Sequence, residues 1–169
     1  KETMELYAPL ANRLGIYSLK WELEDLSFRY LYPEEYRELV LSIEKKREER
    51  IEFINKIMEK IRIALKKQRI VAEVTGRAKH LYSIYRKMQR DNITLDQVYD
   101  LFALRIIVNS VKDCYAAIGV VHELYTPMPG RFKDYIAVPK PNMYQSIHNT
   151  LIGPKGTPFE VQVRTWDMH

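Results

Sequence analysis

Apolar positions recur at helical spacing through the first part of the chain and at strand spacing through much of the rest. Leucines four residues apart predict a helix over residues 1–31, and Pro33 followed by two glutamates marks the start of a second helix. Apolar residues three or four apart extend that second helix to about residue 68. The charge run inside it, residues 44–50, mixes both signs and is typical of a solvated helix face.

After residue 68 the apolar runs shorten and β-branched residues become frequent. The nearly unbroken apolar run 101–108 predicts a central strand covered on both faces. Further strands are predicted at 69–75, 135–138, 147–152 and 159–165. Helices are predicted at 78–90 and 112–125. The order of elements predicts an α+β fold, with a mixed sheet of about five strands flanked by helices and preceded by an N-terminal helical segment.

Composition narrows the class of protein. The 169 residues are 46% hydrophobic, which allows one compact domain with an attached helical segment. No apolar run approaches the ~20 residues that a membrane span needs. The single cysteine, Cys114, cannot form an internal disulfide and fits a reducing cytoplasm. The net charge of +5 favours anionic partners. We expect the chain to be a piece of a longer protein, because it lacks an initiator methionine.

A basic segment surrounds the predicted start of the helix at 78–90. Gly76 marks a strand-to-helix turn, where free amide groups favour a phosphate. At i, i+4 and i+8, Lys79, Ser83 and Lys87 form a row of donors suited to a polyphosphate. A solvated basic face is the alternative interpretation. The P-loop pattern is absent, so a P-loop enzyme is excluded.

One arginine interrupts the apolar run 101–108. Burying an unpaired guanidinium is costly, so Arg105 needs a carboxylate or a phosphate as its partner. Asp100 stands at the entry of the run, where a carboxylate can reach a metal ion. A structural Asp100–Arg105 pair is the alternative, although strict alternation along a strand places the two side chains on opposite faces.

The segment between residues 130 and 148 is dense in polar side chains. It mixes cations, amides and an aromatic ring, and a nucleotide needs charge for its phosphates and a ring for its base. Its candidate binding residues are Lys133, Lys140, Asn142, Tyr144, Gln145 and His148. An ordinary surface loop and a single-stranded RNA site are the alternatives.

Residues 159–164 alternate between apolar and polar side chains, which places Glu160, Gln162 and Arg164 on one face. An edge strand facing solvent is one explanation. A glutamate on one strand and an aspartate entering another can also hold Mg²⁺ against a triphosphate, which makes Asp100 and Glu160 the candidate metal ligands. The four histidines lack zinc-site spacing, so a zinc site is not expected.

Four segments in this order closely resemble the synthetase domain of the RelA/SpoT family. They are GRAKHLYSIYRK at 76–87, DLFALRIIV at 100–108, PGRFKDYIAVPKPNMYQSIH at 129–148 and EVQVRT at 160–165. The resemblance covers residues from about 70 to 169. Residues 1–31 resemble the tail of the hydrolase domain that precedes the synthetase in the long enzymes. This predicts a synthetase domain, truncated at its C-terminus, over 32–169.

The resemblance implies a fold similar to the polymerase-β nucleotidyltransferases. It also implies Mg²⁺-dependent transfer of pyrophosphate from ATP to the 3′-hydroxyl of GDP or GTP, releasing AMP, in the stringent response. The residues that it assigns to ATP are Arg77 near the adenine, with Lys79, Ser83 and Lys87 near the phosphates; Arg105 joins them as a charge that needs an anion. Asp100 would hold Mg²⁺, and Glu160 would share that role or accept the proton of the attacking hydroxyl. The implied guanosine site consists of Lys133, Lys140, Asn142, Tyr144 and His148, with Tyr144 stacking on guanine.

The segment 131–134, RFKD, resembles the basic R-x-K-D signature of bifunctional family members. It implies that the parent enzyme also hydrolyses its product, although the hydrolase's own His-Asp motif is missing from this chain. The expected partners are ATP and GDP or GTP, and a ribosome or regulator reached through other domains. No membrane partner and no stable nucleic-acid complex are expected. Two other classes stay open: a nucleotidyltransferase of the same fold, and a non-catalytic RNA- or nucleotide-binding module.

Overall fold

The computed structural model describes residues 1–77, 79–98 and 101–169. The chain forms two compact units. The helical unit comprises Lys1–Glu48 and Lys79–Val98, and the sheet unit comprises Glu49–Ala78 and Tyr99–His169. The predicted domain boundary after residue 31 concerns the parent protein, and it stays a prediction.

The helices are α1 (Ala8–Arg13), α2 (Tyr17–Leu31), α3 (Pro33–Lys45), α4 (Arg47–Lys67), α5 (Leu81–Asp91) and α6 (Val111–Leu124). The strands are β1 (Ala72–Gly76), β2 (Ala103–Val108), β3 (Thr126–Pro127), β4 (Lys133–Asp134), β5 (Ile147–Ile152) and β6 (Pro158–Thr165). A π-helical segment, Thr3–Tyr7, precedes α1, and short 3-10 segments lie at Leu95–Gln97 and Pro154–Gly156.

Both long helices predicted in the first part of the chain are interrupted. The first breaks at Gly15, whose φ of +74° lies in the left-handed region that glycine tolerates. The second divides into α3 and α4 at Lys46, which forms an ion pair with Asp96. Apolar spacing continues across both breaks, so periodicity alone did not reveal them.

The sheet has the order β1-β2-β6-β5-β3, and β4 also pairs with β5. Because β3 and β4 lie on the same edge of β5, the sheet is five strands wide. The pair β2–β6 is parallel and the other pairs are antiparallel, so the sheet is mixed, as predicted. The predicted strand at 135–138 is wrong: pairing ends with β4, and the chain turns after Asp134.

One face of the sheet packs against α4 and α6. Its core includes Leu104 and Ile106 of β2 and the alternating Phe159, Val161 and Val163 of β6, all fully buried. The thiol of Cys114 lies in the same core, where burial raises its pKa to about 11. Within β2 every residue except Arg105 is buried. The alternation of β6 therefore directs its polar side chains to the opposite face.

Within the described ranges, no helix combines the length and apolar character that crossing a membrane requires.

Candidate active site

The strand register aligns five side chains in one row across the sheet. Residues opposite each other on paired strands point to the same face. The pairs are Thr75 with Arg105, Arg105 with Gln162, Gln162 with His148, and His148 with Lys133. Neighbouring strands are about 4.8 Å apart, so three spacings separate Arg105 from Lys133 by roughly 14 Å. The polar face thus brings together candidates that are far apart in sequence.

Glu160 lies on the same face, two residues before Gln162 on β6. The Nε2 of Gln162 donates a 2.7 Å hydrogen bond to Glu160 Oε1. The same oxygen lies 3.6 Å from His148 Nδ1 and 3.8 Å from Arg77 Nη1. The backbone places Arg77 here, since its amide donates to the carbonyl of Ala103 and extends the β1–β2 pairing. The side chain of Glu160 is only 14% exposed, so its neighbours hold a largely buried acid.

Glu160 and four other side chains form a closed ring of polar contacts. The Nη2 of Arg164 donates to Gln162 Oε1 at 3.0 Å and to the Tyr144 hydroxyl at 2.7 Å. That hydroxyl lies 2.8 Å from His148 Nε2, and His148 approaches Glu160 on its other side. The ring therefore connects Glu160, the candidate catalytic residue, to Tyr144, the candidate for stacking on guanine.

His148 takes part in this ring as a neutral imidazole. Burial lowers its pKa to about 4; Glu160 opposes the shift, while nearby cations add to it. A neutral imidazole has one donor and one acceptor nitrogen. We assign Nε2 as the acceptor of the Tyr144 hydroxyl, which places the ring hydrogen on Nδ1, facing Glu160.

Three guanidinium groups lie on this face, from Arg77, Arg105 and Arg164. Burial lowers the pKa of Arg105, and the charges of Arg164 and Arg77 lower it further. The Nε of Arg105 is buried and has no hydrogen-bond partner among the described residues. Arg105 also forms no ion pair with the carboxylates of the described ranges. Asp100, its partner in the alternative interpretation of the sequence, lies outside those ranges, so that pairing is not described.

The loop before β5 is built to present Tyr144. The side chain of Asn142 accepts a hydrogen bond from the Tyr144 amide at 3.2 Å, and Met143 takes a left-handed φ of +65° between them. The Nζ of Lys140 lies 5.1 Å from the Tyr144 ring centroid and 4.6 Å from that of Tyr135. The structure thus brings together the predicted residues Lys140, Asn142, Tyr144 and His148.

The two other residues predicted to bind GDP or GTP, Lys133 and Gln145, face solvent and the preceding turn, respectively. Lys133 is exposed on β4, at the end of the row. The side chain of Gln145 donates to the carbonyl of Ile136. Asp134 accepts hydrogen bonds from the amides of Ile136 and Ala137. Gln145 therefore braces the turn that Asp134 closes.

The basic row predicted around α5 is not formed as expected. The helix begins at Leu81, so Lys79 precedes it, and only Ser83 and Lys87 are one helical turn apart. The amide of Tyr82, in the first turn, donates to Asp25 Oδ1 at 2.9 Å. The carboxylate of Asp25 thus binds one of the backbone amides that were predicted to bind a phosphate.

Among the described residues, no group of three or more His, Cys, Asp or Glu side chains could hold a metal ion. Of the two predicted metal ligands, Glu160 lies within the described ranges. Asp100 lies outside the described ranges.

Sequence reasoning gave no role to the residues that hold these candidates in place. Gln162 and Arg164 share the face of Glu160, and the alternation of the strand was a signal for them. Asp25 lies 57 residues before Tyr82, and no local pattern connects the two.

A family model for the region found in RelA / SpoT proteins matches residues 76–169. The chain is 51% identical to a guanosine-3′,5′-bis(diphosphate) 3′-pyrophosphohydrolase of Aquifex aeolicus, covering 100% of this chain and 24% of that protein. It is 52% identical to a GTP pyrophosphokinase of Streptomyces coelicolor, covering 100% of this chain and 20% of that protein. The chain therefore spans a quarter or less of these relatives.

Solved structures agree with this assignment. A GTP pyrophosphokinase family protein from Streptococcus pneumoniae matches with a TM-score of 0.62 and 29% identity, over 76% of this chain and 71% of that one. The small alarmone synthetase 1 from Bacillus subtilis bound to its product pppGpp matches with a TM-score of 0.53 and 28% identity, over 73% and 74%. The family model, which matches more than half of the chain, and these solved structures together place this chain in the RelA/SpoT family.

Proposed function

We propose that this chain carries the site at which pyrophosphate moves from ATP to the 3′-hydroxyl of GDP or GTP, with release of AMP. The observation that carries the proposal is the cluster of Arg77, Arg105 and Arg164 beside Glu160 and the Tyr144 ring. A polyphosphate provides the negative charge that this cluster attracts, and a purine provides a face for the ring. The names of the relatives and the pppGpp-bound neighbour support the same reaction.

On the donor side, Arg105 is the residue whose surroundings call most clearly for an anion. Its Nε is buried without a partner among the described residues, and two further guanidiniums lie close to it. A triphosphate oxygen would satisfy this donor. The other residues proposed for ATP are Arg77, Lys79, Ser83 and Lys87.

On the acceptor side, Tyr144 is proposed to stack on guanine. Its hydroxyl is fixed by Arg164 and His148, so the ring is held in one orientation. Lys140, already within 5.1 Å of the ring centroid, and the exposed Lys133 would contact the acceptor phosphates. Asn142 and Gln145 would shape the loop around the base.

Glu160 is proposed to accept the proton of the attacking 3′-hydroxyl or to share a metal ion with the phosphates. Proteins usually bind Mg²⁺ through one or two carboxylates together with substrate phosphates, and a largely buried glutamate fits that donor set. Mg²⁺, when bound, neutralises charge on the phosphates, and Asp100 is the proposed second ligand. The protein's own contribution is positioning: Gln162 holds Glu160, and the arginines offset charge as the 3′-oxygen attacks the β-phosphorus in line.

The test follows the label of γ-labelled ATP after mixing with GDP, Mg²⁺ and the full-length protein. Glu160→Gln is compared with Glu73→Gln, an exposed glutamate on β1. We expect labelled guanosine product and AMP from the wild type and the control, and a roughly 10²- to 10⁴-fold lower rate from Glu160→Gln.

Other outcomes of that assay would point to other classes of protein. Release of pyrophosphate instead of AMP would mean attack on the α-phosphorus, as in a nucleotidyltransferase. Metal-independent binding without transfer, unchanged in Glu160→Gln, would indicate a nucleotide- or RNA-binding module. Equal rates in wild type and Glu160→Gln would remove Glu160 from the chemistry.

Wider roles belong to the parent protein. We propose that it is cytoplasmic, that other domains link it to a ribosome or regulator, and that it also hydrolyses its product. The R-x-K-D segment at 131–134 supports the last point, as does the name of the Aquifex relative. Separate hydrolysis assays on the full-length protein test it.

A further inference from the structure

Helix α5, which carries Ser83 and Lys87, does not cap its own start. His80 occupies the N-cap position, and its side chain makes no capping hydrogen bond. The first amides of a helix have no partner within it and need one from elsewhere. Asp25 of α2 provides it, since its Oδ1 accepts a 2.9 Å hydrogen bond from the amide of Tyr82.

The same face of α2 makes two more contacts with this start. The other oxygen of Asp25 lies 3.6 Å from His80 Nδ1. Trp21, one turn earlier on α2, stacks on the His80 ring with centroids 4.4 Å apart and planes 19° apart. A carboxylate at a helix start also interacts favourably with the helix dipole.

Further along, α2 is anchored to the body of α5. Phe28 is fully buried and stacks on Tyr85, with ring centroids 4.6 Å apart. Loss of the Asp25 cap would therefore loosen the first turn of α5 without detaching the helix. Ser83 lies within that turn, and Lys79 lies two residues before it.

We propose that Asp25 and Trp21 are positioning residues for ATP, acting through the start of α5. This inference rests on the proposed role of Lys79, Ser83 and Lys87 in binding ATP. It assigns to α2, a segment whose sequence resembles the tail of a preceding domain, an indirect part in the affinity of the synthetase for its donor nucleotide.

The test measures the KM for ATP, the KM for GDP and thermal unfolding in the full-length protein. Asp25→Ala removes the acceptor, Asp25→Asn keeps an acceptor oxygen, and Glu22→Ala is the matched control, an exposed glutamate on the same helix. Loss of an N-cap corresponds to about a 3- to 10-fold change in an equilibrium. We expect Asp25→Ala to raise the KM for ATP by that factor with the KM for GDP unchanged, and Asp25→Asn to restore part of it. Trp21→Ala should also raise the KM for ATP, and Trp21→Phe should raise it by a smaller factor.

Lys87→Ala separates this inference from the proposed function. If Lys87→Ala raises the KM for ATP while Asp25→Ala matches Glu22→Ala, the positioning role is wrong and the ATP assignment stands. If Lys87→Ala leaves the KM for ATP unchanged, the assignment of this segment to ATP is itself wrong. Equal rises in both KM values with a lower unfolding temperature would mean that Asp25 only supports the fold.

Discussion

Arg164 is a buried charge whose hydrogen bonds explain its place in the site. The residue is 6% exposed, and one of its guanidinium nitrogens donates both to Gln162 and to the Tyr144 hydroxyl. The guanidinium carbon also lies 5.1 Å from the centroid of the Tyr144 ring. A planar fork of donors can make these contacts together, whereas the ammonium of lysine is a compact charge on a flexible stem.

Arg164→Lys keeps the positive charge at this position but should weaken the binding of GDP, the acceptor substrate. Leaving the partners of a buried donor unsatisfied corresponds to a roughly tenfold loss, and we expect the KM for GDP to rise by about that factor. Steady-state kinetics with GDP as the varied substrate measure it, with the exposed Arg37→Lys as control. A KM for GDP equal to that of the control would contradict the role of Arg164 in holding Tyr144.

The sequence predicted three members of the polar ring as candidates but not the two residues, Gln162 and Arg164, that connect them. Glu160, Tyr144 and His148 were predicted as candidates, and the structure brings them together. The link through Arg164 depends on the pairing of β5 with β6, which places residues 20 positions apart in contact. Such long-range register does not follow from local periodicity.

At the scale of elements, the apolar pattern predicted the strands that pack into the core. It did not predict the turn that side-chain hydrogen bonds form at Asp134. β5 has the predicted bounds, and β6 begins one residue before its predicted start. In β6 the apolar residues Phe159, Val161 and Val163 alternate with polar ones, which is the pattern of a strand. The predicted strand at 135–138 has suitable residues, but Asp134 accepts two amides there and turns the chain. A short polar side chain that captures nearby amides outcompetes strand propensity.

Asp134→Ala should destabilise this turn by about 1 kcal/mol, since it removes an acceptor of two amides. Burial alone would raise the pKa of Asp134, but bonds from the Ala137 amide, the Tyr115 hydroxyl and the Ile136 amide together lower it. A lowered folded pKa means that the stabilisation is complete above the ordinary carboxyl pKa and is lost as pH falls below about 4. Urea unfolding at pH 7 and pH 3 measures it. Asp134→Asn, which keeps an acceptor, should lose less at pH 7, and an unchanged midpoint in Asp134→Ala would contradict the capping role.

At the scale of the whole molecule, the chain divides into a helical unit and a sheet unit. The general plan of helices and a mixed sheet was predictable from the order of apolar runs. The division of the chain was not, because each unit joins segments that are separated in sequence, and contacts rather than composition define it.

Metal-dependent stabilisation by ATP is the prediction at this scale. A ligand at 100 times its Kd adds about 2.7 kcal/mol to the free energy of unfolding, or roughly 5–10 °C in Tm for a chain of this size. We expect ATP with Mg²⁺ to raise Tm by about that amount, and ATP with EDTA to raise it less. Thermal scans of wild type and Glu160→Gln should show that the variant loses the difference. Equal shifts with and without Mg²⁺ in the wild type would argue against a metal ion at this carboxylate.

The alternation of β6 has a consequence for how this protein can evolve. Odd-numbered residues from Phe159 to Val163 fill the core, and even-numbered residues from Glu160 to Arg164 form the polar face. Neutral drift therefore has almost no position in this strand on which to act. Insertion or deletion of one residue would exchange the two sets, burying a carboxylate among α4 and α6 and presenting a phenyl ring on the face proposed to bind the nucleotide. Lineages can lengthen the loops on either side of β6, but the strand itself can change only by substitutions that respect both of its faces.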